Sequence, residues 1–287
     1  MDTPSKIIKS PLNYVGGKIK LLPQLLPLFP NDVNTFVDLF GGGANVSVNI
    51  EANRIIYNDI QPQIVDLFNN MKTMSGNEAV KYIDQKVEEY SLTKENKDGY
   101  IALRERYNKG ERTWHIFYTL VAYAFNNQIR FNSKGEYNMP FGKDRSSFNP
   151  TLRQKFIDFV DKINNSNIIF TCKDFSELNV SKLTENDFVY CDPPYLVTCA
   201  SYNENDGWNE ANERKLLSLL DSLNDNGVKF ALSNVFENKG KTNEILKEWV
   251  NNKGYNTHHL NNTYSNCNYH AKDKSTNTTD EVLITNY

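Results

Sequence analysis

The chain has 287 residues, 39% hydrophobic and 23% charged, with a formal net charge of −3. That length fits one large α/β domain or a domain carrying an insertion, and the composition is that of a globular protein rather than a disordered or fibrous one. No apolar run approaches membrane-spanning length and the first ten residues are polar and lysine-dotted, so no signal peptide or anchor is read and a cytoplasmic location is expected.

Asn13-Tyr14-Val15-Gly16-Gly17-Lys18 leads into an apolar, helix-like run, and reads either as a ligand contact through Lys18 and Tyr14 or as a Gly-Gly turn before a surface lysine. Thr35 to Phe40 is a buried strand, Gly41-Gly42-Gly43 a turn, and the run from Ala44 is helix-compatible. Arg54 to Asn58 is a second strand ending at Asp59, and Gln61 to Lys72 a helix with Pro62 in its first turn. Glu78 to Asn126 is helical and charged, becoming apolar from His115 to Phe125. Asn126 to Asn149, rich in Asn, Gly, Ser and Pro, is loop or short hairpin. A helix at Arg153 to Asn164 precedes strands at Asn167 to Thr171 and Phe188 to Asp192. Asn209 to Leu223 is an amphipathic helix, Lys229 to Ser233 a strand, Asn243 to Lys253 a helix with Gly254 as its C-cap, and Glu281 to Thr285 a closing strand.

Strands and helices alternate at both ends of the chain, with a helical block and a polar loop between them. The expected fold is a doubly wound α/β sheet with a mostly helical insertion, and no internal repeat is present. Ligands of such sheets lie beyond the C-terminal ends of the strands, where Gly41 to Gly43, Asp59 and Asp192 all fall. A glycine turn lets backbone approach a ligand, and an acid ending the next strand suits two ribose hydroxyls. Both nicotinamide and S-adenosylmethionine sites share that layout. The turn lacks G-x-G-x-x-G, which counts against a dinucleotide, and Asp59 also suits a helix N-cap.

Asp192-Pro193-Pro194-Tyr195 carries the most chemistry. Two prolines fix the backbone and remove two N–H donors, leaving carbonyls free to accept. A carboxylate beside a rigid carbonyl matches a planar NH2 group with its two donors, and holding both turns the nitrogen lone pair out of conjugation. Tyr195 offers a face for a base to stack on; the plainer reading is a strand end closed by a Pro-Pro turn and an aromatic plug. Between Asn126 and Lys155 stand Arg130, Lys134, Lys143, Arg145, Arg153 and Lys155 against Glu136 and Asp144, interleaved with Phe131, Tyr137, Phe141 and Phe148. Such a patch suits phosphates and bases, although a solvated loop with packing aromatics has the same composition. Cys172, Cys191, Cys199 and Cys267 lack C-x-x-C spacing and the four His are scattered, so reduced, mostly buried thiols are expected rather than disulfides or a zinc site, and no metal.

Taken together, Tyr14 to Lys18, Asp38-Leu39-Phe40-Gly41-Gly42-Gly43, the central insertion with Arg130-Phe131-Asn132 and Pro140-Phe141-Gly142, and Asp192 to Tyr195 resemble the Dam-type DNA adenine-N6 methyltransferases of the alpha motif order, nearest the phage-encoded branch. The resemblance implies an S-adenosylmethionine-dependent methyltransferase sheet over residues 1–60 and 160–287, with a target-recognition domain over 61–159. It implies methyl transfer to adenine N6 in double-stranded DNA, within GATC, by base flipping, in a monomer. Asp192, Pro193, Pro194 and Tyr195 would be catalytic. Tyr14, Lys18, Asp38, Phe40, Gly41, Gly42, Gly43, Asp59, Phe175 and Asp192 would contact the cofactor. Phe125, Asn126, Arg130, Asn132, Pro140, Lys143 and Arg145 would contact DNA. Ala44 departs from the family's usual glycine, Tyr14 from its commoner tryptophan, and Asp144 from a basic residue. Rival readings are a cytosine-N4 methyltransferase, a DNA-binding protein without turnover, and, further off, a nicotinamide oxidoreductase.

Overall fold

A computed structural model describes residues 6–14, 16–198, 207–261 and 279–287; Val15, Cys199 and Cys267 lie outside the described residues. In chain order the strands are β1 Thr35–Asp38, β2 Arg54–Asn58, β3 Ile168–Thr171, β4 Phe188–Cys191, β5 Lys229–Asn238, β6 Lys241–Thr242, β7 Asn256–Leu260 and β8 Thr279–Thr285. The helices are α1 Leu22–Leu25, α2 Pro62–Met71, α3 Gly76–Glu89, α4 Lys97–Asn108, α5 Trp114–Tyr123, α6 Pro150–Asn164, α7 Glu210–Asp225 and α8 Glu244–Lys253. Two compact units divide the chain, one of Met1–Ile19, Gly41–Asn49 and Gln61–Cys172, the other of Lys20–Phe40, Ile50–Ile60 and Lys173–Tyr287. Among the described residues no helix is long and apolar enough to cross a membrane.

The second unit is built on a sheet in the order β2-β1-β4-β5-β8-β7, with β6 folded back on β5. β2, β1, β4 and β5 run parallel, while β8 is antiparallel to both β5 and β7. Parallel strands must be covered on both faces, which is why Phe188 to Cys191 is an unbroken apolar run rather than an alternating one. On one face Phe29 packs its ring on Phe36, Phe188 and Tyr190. On the other, Val37, Val189, Phe230 and Leu232 meet Leu216, Leu217, Leu220 and Leu223 of α7 and Leu246, Trp249 and Val250 of α8. Those leucines recur at helical spacing, and both helices are capped by asparagines, Asn209 accepting from the Asn212 amide and Asn243 from the Leu246 amide. Gly254 closes α8, as predicted. From β1 the chain steps outward to β2 and later returns on the opposite side to β4, so a switch point lies between β1 and β4.

Several predicted bounds differ. β1 stops at Asp38 rather than Phe40, and β5 runs on to Asn238 rather than ending at Ser233. No helix starts at Ala44: this residue has φ +60, and the stretch to Asn49 is a series of turns closed by bonds such as Ala44 N to Gly41 O, 2.7 Å. A left-handed residue cannot continue a right-handed helix, and apolarity alone does not reveal it. β7 escapes notice because Asn-Thr-His-His-Leu carries neither alternation nor β-branched enrichment.

In the first unit, the single helical block predicted over Glu78 to Asn126 is three helices. Ser91 at φ +46 and Gly110 at φ +123 break it, and Asn96 recaps the chain by accepting from the Gly99 amide. α3 begins in a capping box in which the Ser75 hydroxyl accepts from the Glu78 amide and the Glu78 carboxylate from the Ser75 amide. α5 is buried almost all round and packs against α2, α3 and α4, which explains its continuous apolar run. α6 starts at Pro150, earlier than predicted, because Asn149 is its N-cap and proline is favoured at the first helical position.

Candidate active site

The Asp192-Pro193-Pro194-Tyr195 segment leaves the C-terminal end of β4, all four of whose residues are buried. The Tyr195 hydroxyl donates to Asp192 Oδ1 at 2.8 Å and lies 3.4 Å from Glu281 Oε1. The Thr198 amide donates to the Tyr195 carbonyl at 3.0 Å, closing a turn that returns the chain after the prolines. Burial, and after it the Asp192 and Glu281 carboxylates, hold the Tyr195 hydroxyl well above the usual tyrosine range, so it stays a donor. Behind the motif, Tyr190 shares a 2.8 Å hydrogen bond with Ser233 of β5, fixing β4 from below. Cys191, fully buried, has its thiol pushed up by burial first and then by Asp38 and Asp192, which makes it a packing residue rather than a nucleophile.

Asp38 and Asp59 end β1 and β2 on the same edge of the sheet, 2% and 8% exposed. One residue missed in the sequence ties this edge together. Asn58 Nδ2 donates to the Leu39 and Lys173 carbonyls at 3.2 and 3.0 Å, and its Oδ1 accepts from the Lys173 amide. It thereby locks the ends of β1 and β2 to the loop that carries Phe175. Phe40 and Phe175 lie with ring centroids 5.4 Å apart, and Trp208 contacts both at 5.7 and 5.6 Å. Ile60, next to Asp59, exposes 65% of its surface. Neither Trp208 nor Ile60 belongs to a motif. The exposure of Ile60 and the ring contacts of Trp208 are their only signals, and both are properties of the fold.

In the first unit, Tyr14 lies across the glycine turn. A Cβ on Gly42 would stand 3.1 Å from two atoms of the Tyr14 ring, and Gly42 itself has φ +48, so both space and backbone favour glycine. Gly43 meets the Tyr14 Cβ, and Gly41 accepts from the Ala44 amide. Lys18 is buried to 5% exposure, and its ammonium donates to the Gly16 carbonyl at 2.9 Å. Thus Tyr14 and the glycines are brought together, while Lys18 is drawn back onto its own turn.

The basic, polar segment of the same unit begins where α5 ends. Asn127 Nδ2 donates to the Val121 and Ala122 carbonyls, capping the helix C-terminus. Asn126 and Asn127 both have φ +53, and the Asn126 carbonyl accepts from Asn13 Nδ2 at 2.8 Å. That turn leaves Phe125 41% exposed. The following hairpin is pinned by a bridge between Phe131 and Tyr137. Arg130 is exposed, with Nε donating to Asn138 Oδ1 and Nη2 to the Asn138 carbonyl. Asn132 shapes the hairpin turn: its Oδ1 accepts from the Lys134 and Glu136 amides, and its Nδ2 donates to Glu136. Pro140, Lys143 and Arg145 are exposed. Gly142 permits close packing, since a Cβ there would stand 2.3 Å from Ser146 Oγ and 2.7 Å from the Ala124 carbonyl. The aromatics of the patch turn inward: Tyr137 and Phe148 are buried, Phe131 stacks on Phe117 and Phe141 packs on Tyr100. Arg153 pairs with Asp84 and covers the Phe148 ring, so it is structural.

Residues 14–266 match the family model described as "D12 class N6 adenine-specific DNA methyltransferase". The chain is 49% identical over 284 residues to the type II methyltransferase M.FokI of Planomicrobium okeanokoites, covering 98% of the chain and 43% of that protein. It is 44% identical over 291 residues to the modification methylase StsI of Streptococcus sanguinis, covering 100% of the chain and 44% of that protein. With the DNA adenine methylase of Haemophilus influenzae it shares 31% identity over 189 residues, 64% of the chain and 63% of that protein. The chain therefore spans less than half the length of the first two relatives.

Proposed function

Because the chain belongs to the D12 class of N6 adenine-specific DNA methyltransferases, we propose that it transfers a methyl group from S-adenosylmethionine to adenine N6 at a specific site in double-stranded DNA. The observation that carries this reading is the Asp192 carboxylate, tethered by Tyr195 at the end of a central parallel strand and followed by two residues that offer carbonyls without N–H donors. Bound S-adenosylmethionine supplies an electrophilic methyl group on a sulfonium. The residues of the chain do the rest. The target adenine leaves the stack, since its amine is unreachable inside a duplex. Asp192 and the Pro193 carbonyl would accept hydrogen bonds from the two N6–H groups, and the Tyr195 ring would support the base. As the methyl group transfers and the sulfonium becomes a thioether, the one proton that N6 loses would pass by way of the Asp192 carboxylate to solvent. The contribution is largely positioning, with developing positive charge at N6 facing a carboxylate.

The second unit suits the cofactor. Asp59 offers a charged acceptor for vicinal hydroxyls, and Ile60, Phe40, Phe175 and Trp208 offer apolar and aromatic contacts for an adenine, with Asp38 at the same strand edge. The first unit's Tyr14, Lys18 and Gly41 to Gly43 are the further contacts that family membership suggests. The exposed segment with Phe125, Asn126, Arg130, Pro140, Lys143 and Arg145 is assigned to DNA, with Asn132 shaping its hairpin. We assign residues 61–159 to target recognition and the remainder to catalysis. Identity is higher to the modification methylases than to the DNA adenine methylase, which favours a target set by that branch over GATC and a role in restriction-modification. Sequencing DNA methylated by the purified protein tests the reading; N4-methylcytosine, or cofactor binding with no methyl incorporation, overturns it.

Two outcomes follow for single residues. Asp59→Ala is expected to weaken S-adenosylmethionine binding by about 1.5–3 kcal/mol, the worth of a charge-assisted hydrogen bond. Calorimetric titration decides it: unchanged affinity with a lowered melting temperature makes Asp59 a structural residue only. Arg130→Ala is expected to cost about 1–3 kcal/mol on the cognate site and to relax preference at one base pair, because a guanidinium fork matches guanine O6 and N7. Asn138 already holds the Nε and Nη2 side of that fork, which presents the group pre-oriented. Rates on single-base variants of the mapped site at two salt concentrations check it. A uniform loss across the variants, with the salt slope reduced by about one, identifies a phosphate contact instead.

A further inference from the structure

Glu281 is a carboxylate in an apolar strand. It pairs with Val235 of β5 on one side and Leu260 of β7 on the other, it is 1% exposed, and Val282, Leu283 and Ile284 after it are fully buried. Placing a carboxylate there costs desolvation that only strong hydrogen bonding offsets. Its Oε1 lies 3.4 Å from the Tyr195 hydroxyl, which donates at 2.8 Å to Asp192. We propose that Glu281 is a positioning residue for methyl transfer, holding the Tyr195 hydroxyl and through it the Asp192 carboxylate.

This role for Glu281 rests on the methyltransferase reading above. A phenol hydroxyl has one proton, and with a carboxylate oxygen on either side that proton stays in the wedge between them. One acceptor leaves the hydroxyl free to rotate about its C–O bond; two fix the phenol oxygen. Asp192 and Tyr195 share one short loop after β4 and move together, whereas Glu281 is held in the sheet by neighbours on both sides. It therefore gives the phenol oxygen a reference point in the sheet, beside the Asn238 side chain of β5 that donates to the Val197 carbonyl of the same loop. The hydroxyl remains protonated because burial and the two carboxylates oppose its ionisation. Asp192 is thus presented with one oxygen committed to Tyr195, which sets the carboxylate plane and aims its other oxygen.

The test is a mutant cycle on the full chain with labelled S-adenosylmethionine and the mapped DNA site. Glu281→Ala is expected to lower kcat between about 10- and 100-fold while cofactor Kd changes less than about threefold, since misplacement affects the chemical step. Glu281→Gln, whose amide oxygen accepts the same bond, is expected to recover activity to within about threefold of wild type. Glu281→Asp keeps the charge but withdraws the oxygen, and is expected to lose at least about tenfold. In a Tyr195→Phe background, Glu281→Ala is expected to add no further loss, as coupled residues are non-additive. A multiplicative double mutant, a Glu281→Asp protein as active as wild type, or a Glu281→Gln protein as slow as Glu281→Ala overturns the inference while leaving the activity standing. If Glu281→Ala does not fold, the Gln and Asp variants carry the test alone. A wild-type protein that transfers no methyl group to DNA overturns both.

Discussion

Asp192→Ala is expected to lower single-turnover methyl transfer by about 2–4 kcal/mol, roughly 30- to 900-fold, because the N6 protons lose an acceptor whose value is greatest as charge develops. The substitution removes a second thing as well. Tyr195 donates its hydroxyl to Asp192, so the alanine variant also loosens the ring that would support the base. The kinetic experiment should therefore run at saturating cofactor, with S-adenosylmethionine affinity and melting temperature measured separately. Asp192→Asn is the sharper comparison: its shape is retained, but one of two acceptors becomes an NH2 group facing other donors. Turnover of either variant within a few-fold of wild type, with the fold intact, would remove the Asp-Pro-Pro-Tyr segment from the chemistry.

Glu213→Ala should be strongly destabilising, by about 3–5 kcal/mol in urea unfolding. This carboxylate is completely buried, yet it accepts from Trp208 Nε1 at 2.6 Å and from the side-chain amides of Asn234 and Asn243 at 3.0 Å each. Neither asparagine can turn over to compensate. Asn234 Oδ1 already accepts from the Val235 amide, and Asn243 Oδ1 caps α8 through the Leu246 amide. Truncation strands two buried donors and one half-buried donor around a cavity. Glu213→Gln should fall between alanine and wild type, since one of its two positions would set a donor against a donor. Loss of Glu213 should also release Trp208 from Phe40 and Phe175, which ties stability to the aromatic cluster of the candidate cofactor site. A measured loss below about 1 kcal/mol would mean that water replaces the carboxylate without cost.

How much of this was legible in the amino-acid sequence follows from how local each determinant is. The placement of Asp192 to Tyr195, Asp59 and the glycine turn at strand ends could be read because each is a strand running out into a loop, and strand patterning and loop chemistry are encoded within a few residues; Asp38 entered only through the family resemblance. The α/β class and the Gly254 C-cap of α8 are equally short-range in origin, whereas the switch between β1 and β4 is set by sheet order. The sequence failed where conformation departs from composition. The run from Ala44 has a helical alphabet, yet the close packing of Gly42 under the Tyr14 ring and the positive φ of Ala44 make it a set of turns. The aromatics of the basic loop suggested bases to stack on, but most were drawn inward by the core of the first unit, leaving Phe125 to present a ring. What only the tertiary structure decided is which distant side chains meet. Asn58 with Lys173, Glu213 with Trp208 and Asn243, and Glu281 with Tyr195 are pairings set by sheet order and strand register, because a hydrogen bond reaches about 3 Å wherever the chain happens to return, and no periodicity along the chain records where that is.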